Sequence, residues 1–354
     1  MAAVTTTTCF STKRLNHSTF LITEDDSYRE HPFIYAKLHS KLPLLILSDT
    51  GCNSPRDSSV EVKSLRQYIE MYPIPANDGK PLNPIGSDGK AEREYMVICT
   101  HCHYDHIGGI EQFSVKSPNT ACASILRPVI CSSNNQTRGQ ATIVASSYCR
   151  PFLMHNLATH SLCKFLRIPL PRYKVTQWAK DDAPLYWRGN DTGITIFHTP
   201  GHTPDELAWF DEEERWLYVG DSFYERGVDK MPIIFPKEGN WKNYTASLSK
   251  LLQFVRRKNS EVEDKHDDDW LLLSKRIQLG CGHSTSTSDA EEIIETVQYF
   301  FQRIISGQVP VKSTTINRDE VCNLWEDAEP SPRFSVFAPA RLAGALNGSS
   351  GTSF

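Results

Sequence analysis

No stretch of the chain approaches eighteen consecutive apolar residues, and the densest short run, Pro43 to Leu47, is only as long as a strand. A membrane-spanning helix is therefore excluded. Basic excess is missing too: 38 Lys and Arg stand against 42 Asp and Glu, a formal net charge of -4. Without a broad cationic field to hold polyphosphate, nucleic acid is a disfavoured partner. The ten cysteines, scattered from Cys9 to Cys322, contain no CxxC pair. In a chain of this length they read as reduced, mostly buried thiols and not as a disulfide framework. The opening MAAVTTTTCFSTKRLNHSTF has no apolar core beside its basic residues, so no secretory signal is expected. The last residues match no lipidation or retention signal. These absences together point to a cytoplasmic protein.

What is present is a globular composition, 39% hydrophobic and 23% charged over 354 residues, enough for one large domain with insertions. Residues 1–15 are Thr-rich and poor in apolar pattern. The stretch 329–354 mixes Pro, Gly, Ser and Ala without period. Both are expected to lie loose on the surface, leaving 16–328 as the folded domain.

Between the ends, β-rich runs occur at Phe33–Leu38, Leu44–Ser48, Tyr95–Thr100, Ile194–His198, Leu207–Phe210, Trp216–Val219 and Arg276–Leu279. Leu207 to Val219, broken at Asp211 to Glu214, reads as a hairpin. Helical spacing shows in Val62, Leu65, Ile69 and Tyr72, and again in Trp241, Tyr244, Leu248, Leu251, Leu252 and Val255. A third helix carries a capping box in Ser288 and Glu291, an apolar face through Ile293, Val297, Phe300 and Ile304, and Gly307 as its stop. Alternating strands and helices imply α/β layers. Residues 76–93 read as an exposed loop and 114–150 take no assignment; either is a candidate border for a binding cleft. The acidic run Glu261 to Asp269 reads as a solvated loop, with Arg256 and Arg257 at a helix C-terminus before it.

The chemistry concentrates in one place. The strand-like Val97-Ile98-Cys99-Thr100 empties into His101-Cys102-His103-Tyr104-Asp105-His106-Ile107-Gly108-Gly109. Imidazole and carboxylate together suit Zn2+, and also Fe or Mn. His101 and His103, two apart on extended chain, project the same way. Asp105 and His106, adjacent at the turn, aim at a second position. Further candidates lie in loops after strands: His202 in Thr199-Pro200-Gly201-His202, Asp221 in Gly220-Asp221-Ser222, and His283 in Gly280-Cys281-Gly282-His283. Loops after the strands of an α/β scaffold gather functional groups on one edge. His198, four before His202, reads as a structural strand-end histidine, with support of the ligands from behind as the alternative; His155, His160 and His266 have no ligand spacing with this set, and Cys102 and Cys281, though beside ligands, read as buried thiols.

In this order the motifs resemble those of the metallo-β-lactamase superfamily: HxHxDH at 101–106, a GH loop at His202, a GD turn at Asp221, a final GH at His283, and an early Ser48-Asp49-Thr50-Gly51 strand end. The resemblance spans residues 49 to 283. It implies an αββα sandwich with insertions and a site for two metal ions, zinc by expectation with Fe or Mn as alternatives. His101, His103 and His202 would hold one metal, Asp105, His106 and His283 the other, and Asp221 would bridge. Asp49 would accept hydrogen bonds from the ligand loop.

Two divalent cations holding a water lower its pKa toward neutrality and polarise a carbonyl or phosphoryl oxygen, so metal-assisted hydrolysis by a bridging hydroxide is the expected reaction class. Asp105 would also handle the proton passed to the leaving group. Tyr224, three residues after Asp221, matches the spacing of the superfamily's lactonase branch, which implies an oxyanion-donating phenol; the alternative is packing. Phe152, Leu153, Met154, Leu157 and Phe165 suit either a cover over a small hydrophobic substrate or ordinary core. The resemblance to fungal lactamases that open benzoxazolinone-type rings makes a lactone, lactam or cyclic carbamate of a natural product or xenobiotic the expected substrate, a small molecule. The alternative is a thioester, carrier-protein-bound or in the manner of glyoxalase II. A glyoxalase II would carry a basic helical C-terminal domain, which the short stretch after Gly307 does not resemble.

Overall fold

A computed structural model describes residues 6–114, 140–263, 276–327 and 332–347. The first half of the chain builds a seven-stranded sheet in chain order: β1 (Phe10–Arg14), β2 (Thr19–Glu24), β3 (Phe33–Leu38), β4 (Leu44–Ser48), β5 (Glu94–Ile98), β6 (Thr142–Ser146) and β7 (Gln177–Ala179). Pairing is antiparallel from β1 to β4 and parallel from β4 to β7. A six-stranded sheet follows, made of β8 (Ala183–Trp187), β9 (Asn190–His198), β10 (Leu207–Asp211), β11 (Trp216–Tyr218), β13 (Gln278–Gly280) and β14 (Ser288–Asp289), ordered β14-β13-β11-β10-β9-β8. The expected hairpin is β10–β11, paired Trp209 to Tyr218 and Asp211 to Trp216.

Alternation along the strands makes the layers. Leu44 and Ile46 face one way and join Tyr35, Met96 and Ile98 against Ile194, Ile196, Trp209 and Tyr218 of the other sheet. Leu45 and Leu47 face the other way, onto Leu65, Tyr68 and Ile69 of α1 (Leu65–Met71). Strands buried on both faces read as continuous apolar runs, which is why Leu44–Ser48 was legible. On the far side, Phe197, Ala208, Phe210 and Leu217 pack under α6 (Trp241–Glu263) and α7 (Ala290–Ile305). The order of layers is αββα. Between α1 and α6 lie the short helices α2 (Tyr104–Ile107), α3 (Arg150–Met154), α4 (Leu157–His160) and α5 (Cys163–Leu166). Among the described residues no helix is long and apolar enough to cross a membrane, and none of the eight described cysteines is in a disulfide.

Several expectations are corrected. A third sheet of four strands, β12 (Ile233–Ile234), β17 (Ser335–Pro339), β16 (Glu320–Glu326) and β15 (Ser313–Asn317), joins the α6 and α7 layer. Part of the stretch expected to trail after 328 is therefore its inner strand, continued by α8 (Ala340–Asn347). Phe334, Val336 and Ala338 alternate into the core, a period-two signal obscured by Ser335 and Pro339. The N-terminal segment contributes too: Phe10 lies in β1 and its ring meets Tyr68 at 5.1 Å. Helix α7 is capped by Asp289, whose carboxylate accepts from Glu292 N at 3.0 Å; the expected cap, Ser288, lies one residue further out, paired with Leu279 in β14. Gly307 does follow it with φ +75°. Helix α6 continues past Arg256 and Arg257 to Glu263 because Arg256 pairs with Glu291 and Glu295 of α7. The rest of the acidic run, and 115–139 of the unassigned stretch, lie outside the described residues. The loop 76–93 feeds the N-terminal end of β5, where Arg93 donates to the carbonyls of His39 and Leu42. That is the end of the sheet away from Asp49 and the ligand loop.

Candidate metal centre

Each candidate ligand leaves the C-terminal end of a strand. Asp49 follows β4, the 101–106 loop follows β5, His202 follows β9, Asp221 follows β11 and His283 follows β13. Both sheets thus deliver side chains to one edge of the sandwich, and all of these residues are buried. Ligand atoms of His101, His103, His202 and Asp221 lie within 4.8 Å of one another, as do those of Asp105, His106, Asp221 and His283. Asp221 belongs to both groups. This is the division that the resemblance implied.

In the first group His103 Nδ1 stands 2.9 Å from His101 Nε2 and 3.1 Å from His202 Nε2. Asp221 Oδ2 closes it at 3.9 Å from His101 Nε2 and 4.0 Å from His202 Nε2. In the second, Asp105 Oδ2 is 3.2 Å from His106 Nε2 and 3.3 Å from His283 Nε2. Asp221 Oδ1 is 3.3 Å from His106 Nε2 and 3.5 Å from His283 Nε2.

The outer hydrogen bonds fix which ring nitrogen faces inward. Asp49 Oδ2 lies 2.9 Å from His106 Nδ1, and the same oxygen accepts the Thr100 hydroxyl at 2.7 Å. Having donated its hydrogen there, Thr100 Oγ1 is left as acceptor for His101 Nδ1 at 3.2 Å. His283 Nδ1 donates to the Glu30 carbonyl at 2.8 Å. Each of these imidazoles points Nδ1 at an acceptor and turns Nε2 inward, so a bound ion would meet the Nε2 lone pair of the neutral ring. Asp49 also accepts Thr100 N at 2.8 Å, so one buried carboxylate sets the orientation of two rings.

The donor set suits cations. Burial, with His202 beside it, holds His103 down to about 3, and burial holds His202 down to about 4. Burial and the surrounding imidazoles keep His101 well below its ordinary value. Neutral imidazole is the metal-binding form. For Asp105 and Asp221 burial opposes ionisation, but His106 and the neighbouring His283 outweigh it and hold both carboxyls well below the usual range. His106 Nε2 and Asp221 Oδ1 face each other without a hydrogen bond. Converging lone pairs and carboxylate oxygens of this kind are satisfied by divalent ions, so the residues fit the implied metals.

Tyr224 does not join them. Its hydroxyl donates to Pro232 O at 2.9 Å, and its ring stands edge-on to His283 at 5.3 Å within the α6 and α7 core. The phenolic hydrogen is directed away from the cluster, which is the packing alternative for this residue. Tyr104 packs beside Cys52 and Cys163, and its hydroxyl donates to Glu30. His198 bonds the Ala179 carbonyl at 2.9 Å, and His160 stacks on Phe152 at 3.9 Å. Phe152 and Leu153 lie behind the ligand loop with Cys102. His266 is outside the described residues. Sequence reasoning missed Thr100 and Glu30. Thr100 carries a signal in hindsight, as the hydroxyl residue directly before the first ligand; Glu30 carries none, because it acts through its backbone.

A two-sheet sandwich carrying a buried imidazole and carboxylate cluster able to hold two cations defines an αββα metal-site protein. The family model for the metallo-beta-lactamase superfamily matches residues 188–257. The chain is 29% identical over 310 residues to "Putative transcription factor avaE" of Aspergillus versicolor, a match covering 88% of this chain and 80% of that one. It is 25% identical over 203 residues to "Acyl-coenzyme A thioesterase MBLAC2" of Gallus gallus, covering 57% of this chain and 63% of the thioesterase. A solved metallo-beta-lactamase from Pontibacter korlensis aligns over 83% of this chain and 99% of its own, at 12% identity and a TM-score of 0.48. The likeness is thus to the metallo-beta-lactamase superfamily, over residues 188–257 for the family model.

Proposed function

We propose that this chain is a hydrolase of small-molecule acyl compounds that uses two zinc ions and opens a cyclic ester or amide: a lactone, a lactam or a cyclic carbamate of the benzoxazolinone kind. The observation that carries the reading is the pair of buried ligand groups sharing Asp221. His101, His103 and His202 with Asp221 hold one ion; Asp105, His106 and His283 with Asp221 hold the other. Zinc bound there supplies Lewis acidity toward the acyl oxygen and a water of lowered pKa.

The chain's own residues do the positioning. Asp49, directly and through the Thr100 hydroxyl, keeps the protons of His106 and His101 on the outer nitrogens. The Glu30 carbonyl does the same for His283. Asp105 Oδ2, held ionised by His106 and His283, would take the proton given up by the water whose oxygen adds to the acyl carbon and pass it to the leaving oxygen or nitrogen as the acyl bond breaks. Burial of the whole set strengthens its electrostatics by excluding water.

Thioester hydrolysis is a second reading, favoured by the similarity to acyl-coenzyme A thioesterases. One experiment separates the two. Purified protein is analysed for metal, then assayed against lactones, lactams and thioesters before and after chelation. About two zinc ions per chain with chelator-sensitive ring opening support the first reading, and thioester turnover alone moves the chain to the second. No hydrolysis by protein reconstituted with zinc rejects both.

A further inference from the structure

We infer that the rim of the metal centre recognises an anionic group of the substrate, a phosphate or carboxylate, through Arg318 and Lys237 held on the ring of Phe165; the inference rests on the hydrolase reading above and adds the charge of its substrate. Three segments remote in sequence meet at this point. Helix α5 packs against the ligand loop: Cys163 is buried with Cys52 and Tyr104, and the Ser161 carbonyl before α5 accepts Tyr104 N at 3.0 Å. Phe165 lies two residues on and is 41% exposed. On the opposite flank Phe235 stands against the His202 ring at 6.1 Å, and Lys237 follows by two residues. Its ammonium lies 6.0 Å from the Phe165 ring centre, so the two flanks meet. The third segment is the turn between β15 and β16, from which the Arg318 guanidinium reaches the same ring at 4.7 Å.

Arg318 is the least compensated of the cations at this rim. Lys237 has Glu238 at 3.8 Å, and Arg341, which donates to the Lys237 carbonyl, pairs with Glu320 at 3.5 Å. Among the described residues no carboxylate pairs with Arg318. The turn that presents it is itself unfavourable: Arg318 and Asp319 both take left-handed backbone, with φ of 50° and 66°. Asn and Gly are the residues ordinarily found in such a turn. The exposed ring of Phe165 holds both cations against it. A cation pair held in this way at the entrance to a buried site selects substrates by charge and raises their encounter rate.

The test has a binding arm and a turnover arm. Adenosine 3′,5′-bisphosphate and benzoate, one a phosphate and one a carboxylate probe, are titrated calorimetrically into wild type and R318A/K237A at low and moderate salt. Wild type should bind one of them, and which one binds names the anion. Affinity should fall about fivefold or more in the double variant and weaken with salt. In turnover, plain and carboxylate-bearing lactones are compared, and S-acetyl-N-acetylcysteamine with acetyl-coenzyme A. The ratio of anionic to neutral kcat/KM should fall through KM in R318A and be largely kept in R318K. If neither probe binds, or binding and ratio are the same in the double variant, the inference is overturned. Charge-dependent binding without metal-dependent turnover of any substrate would keep the rim and reject the hydrolase reading.

Discussion

Gly282 lies immediately before His283, and a Cβ placed on it would stand 2.1 Å from Asp221 Oδ1 and 2.9 Å from His106 Cε1. Ordinary contact begins near 3.4 Å, so in Gly282→Ala the Asp221 carboxylate must withdraw by about 1 Å or more. That oxygen is the one facing His106 Nε2 at 3.3 Å and His283 Nε2 at 3.5 Å. The severest clash falls on a rotatable side chain at the corner shared by both ligand groups, with the His106 ring at 2.9 Å and the Gly220 backbone at 3.2 Å as lesser contacts, so the centre is disturbed more than the fold. We expect metal content to drop toward one ion or fewer, and kcat/KM to fall on the order of 10²-fold, the scale of a 1 Å misplacement in an active site. The unfolding free energy of metal-free protein should stay within about 1 kcal/mol of wild type. Gly108→Ala is the contrast, because its Cβ would meet the backbone carbonyl of Cys52 at 2.3 Å. Backbone cannot step aside, and a loss of about 1–3 kcal/mol of stability is expected there. Metal analysis, steady-state kinetics and denaturant unfolding on the two variants decide the matter. Full metal and full turnover in Gly282→Ala would refute the assignment of Asp221 to the shared position.

Asp49→Asn keeps the shape but weakens the acceptor for His106 Nδ1 and the Thr100 hydroxyl, so metal affinity should fall about 10- to 100-fold in a chelator competition; unchanged affinity would make Asp49 a loop brace only. Tyr224→Phe removes the hydrogen bond to Pro232 O and should cost about 1 kcal/mol of stability with kcat nearly unchanged, whereas a 10²-fold loss in kcat would restore the oxyanion role. Burial pushes the Glu24 carboxyl up to about 7 against the pull of the Ser54, Asn53 and Cys52 N–H groups. A raised carboxyl favours the protonated folded state, so this stabilisation is complete below about 4.5 and is lost as pH rises through about 7. Glu24→Gln, with no proton to lose, should gain on wild type by on the order of 2–3 kcal/mol between pH 5 and pH 8 in urea titrations; parallel curves would contradict the argument.

The candidate metal ligands were legible in the sequence because their chemistry is local. The His101 to His106 run carries its own spacing, and Gly or Pro beside His202, Asp221 and His283 marks the loops that present them. The central strands were legible for a related reason: a strand buried on both faces, such as Leu44–Ser48, is apolar throughout. Strand β17 was not, since Ser335 and Pro339 mask an alternation that matters only once α6 and α7 cover it. The loop 76–93 was placed beside a cleft by its composition, yet composition carries no information about which end of β5 it feeds.

Residue types and short-range spacing by themselves determined that this chain would gather imidazoles and carboxylates at strand ends, because ligand geometry within a loop depends on neighbours along the chain. Only the tertiary structure decided that Asp49 reaches His101 through Thr100 and that the Tyr224 hydroxyl turns to Pro232. It also brought Arg318 to Phe165 across more than a hundred residues. Those outcomes depend on where two sheets and their covering helices bring side chains together, and a linear pattern does not record the direction in which a hydroxyl or a ring nitrogen points once it is buried.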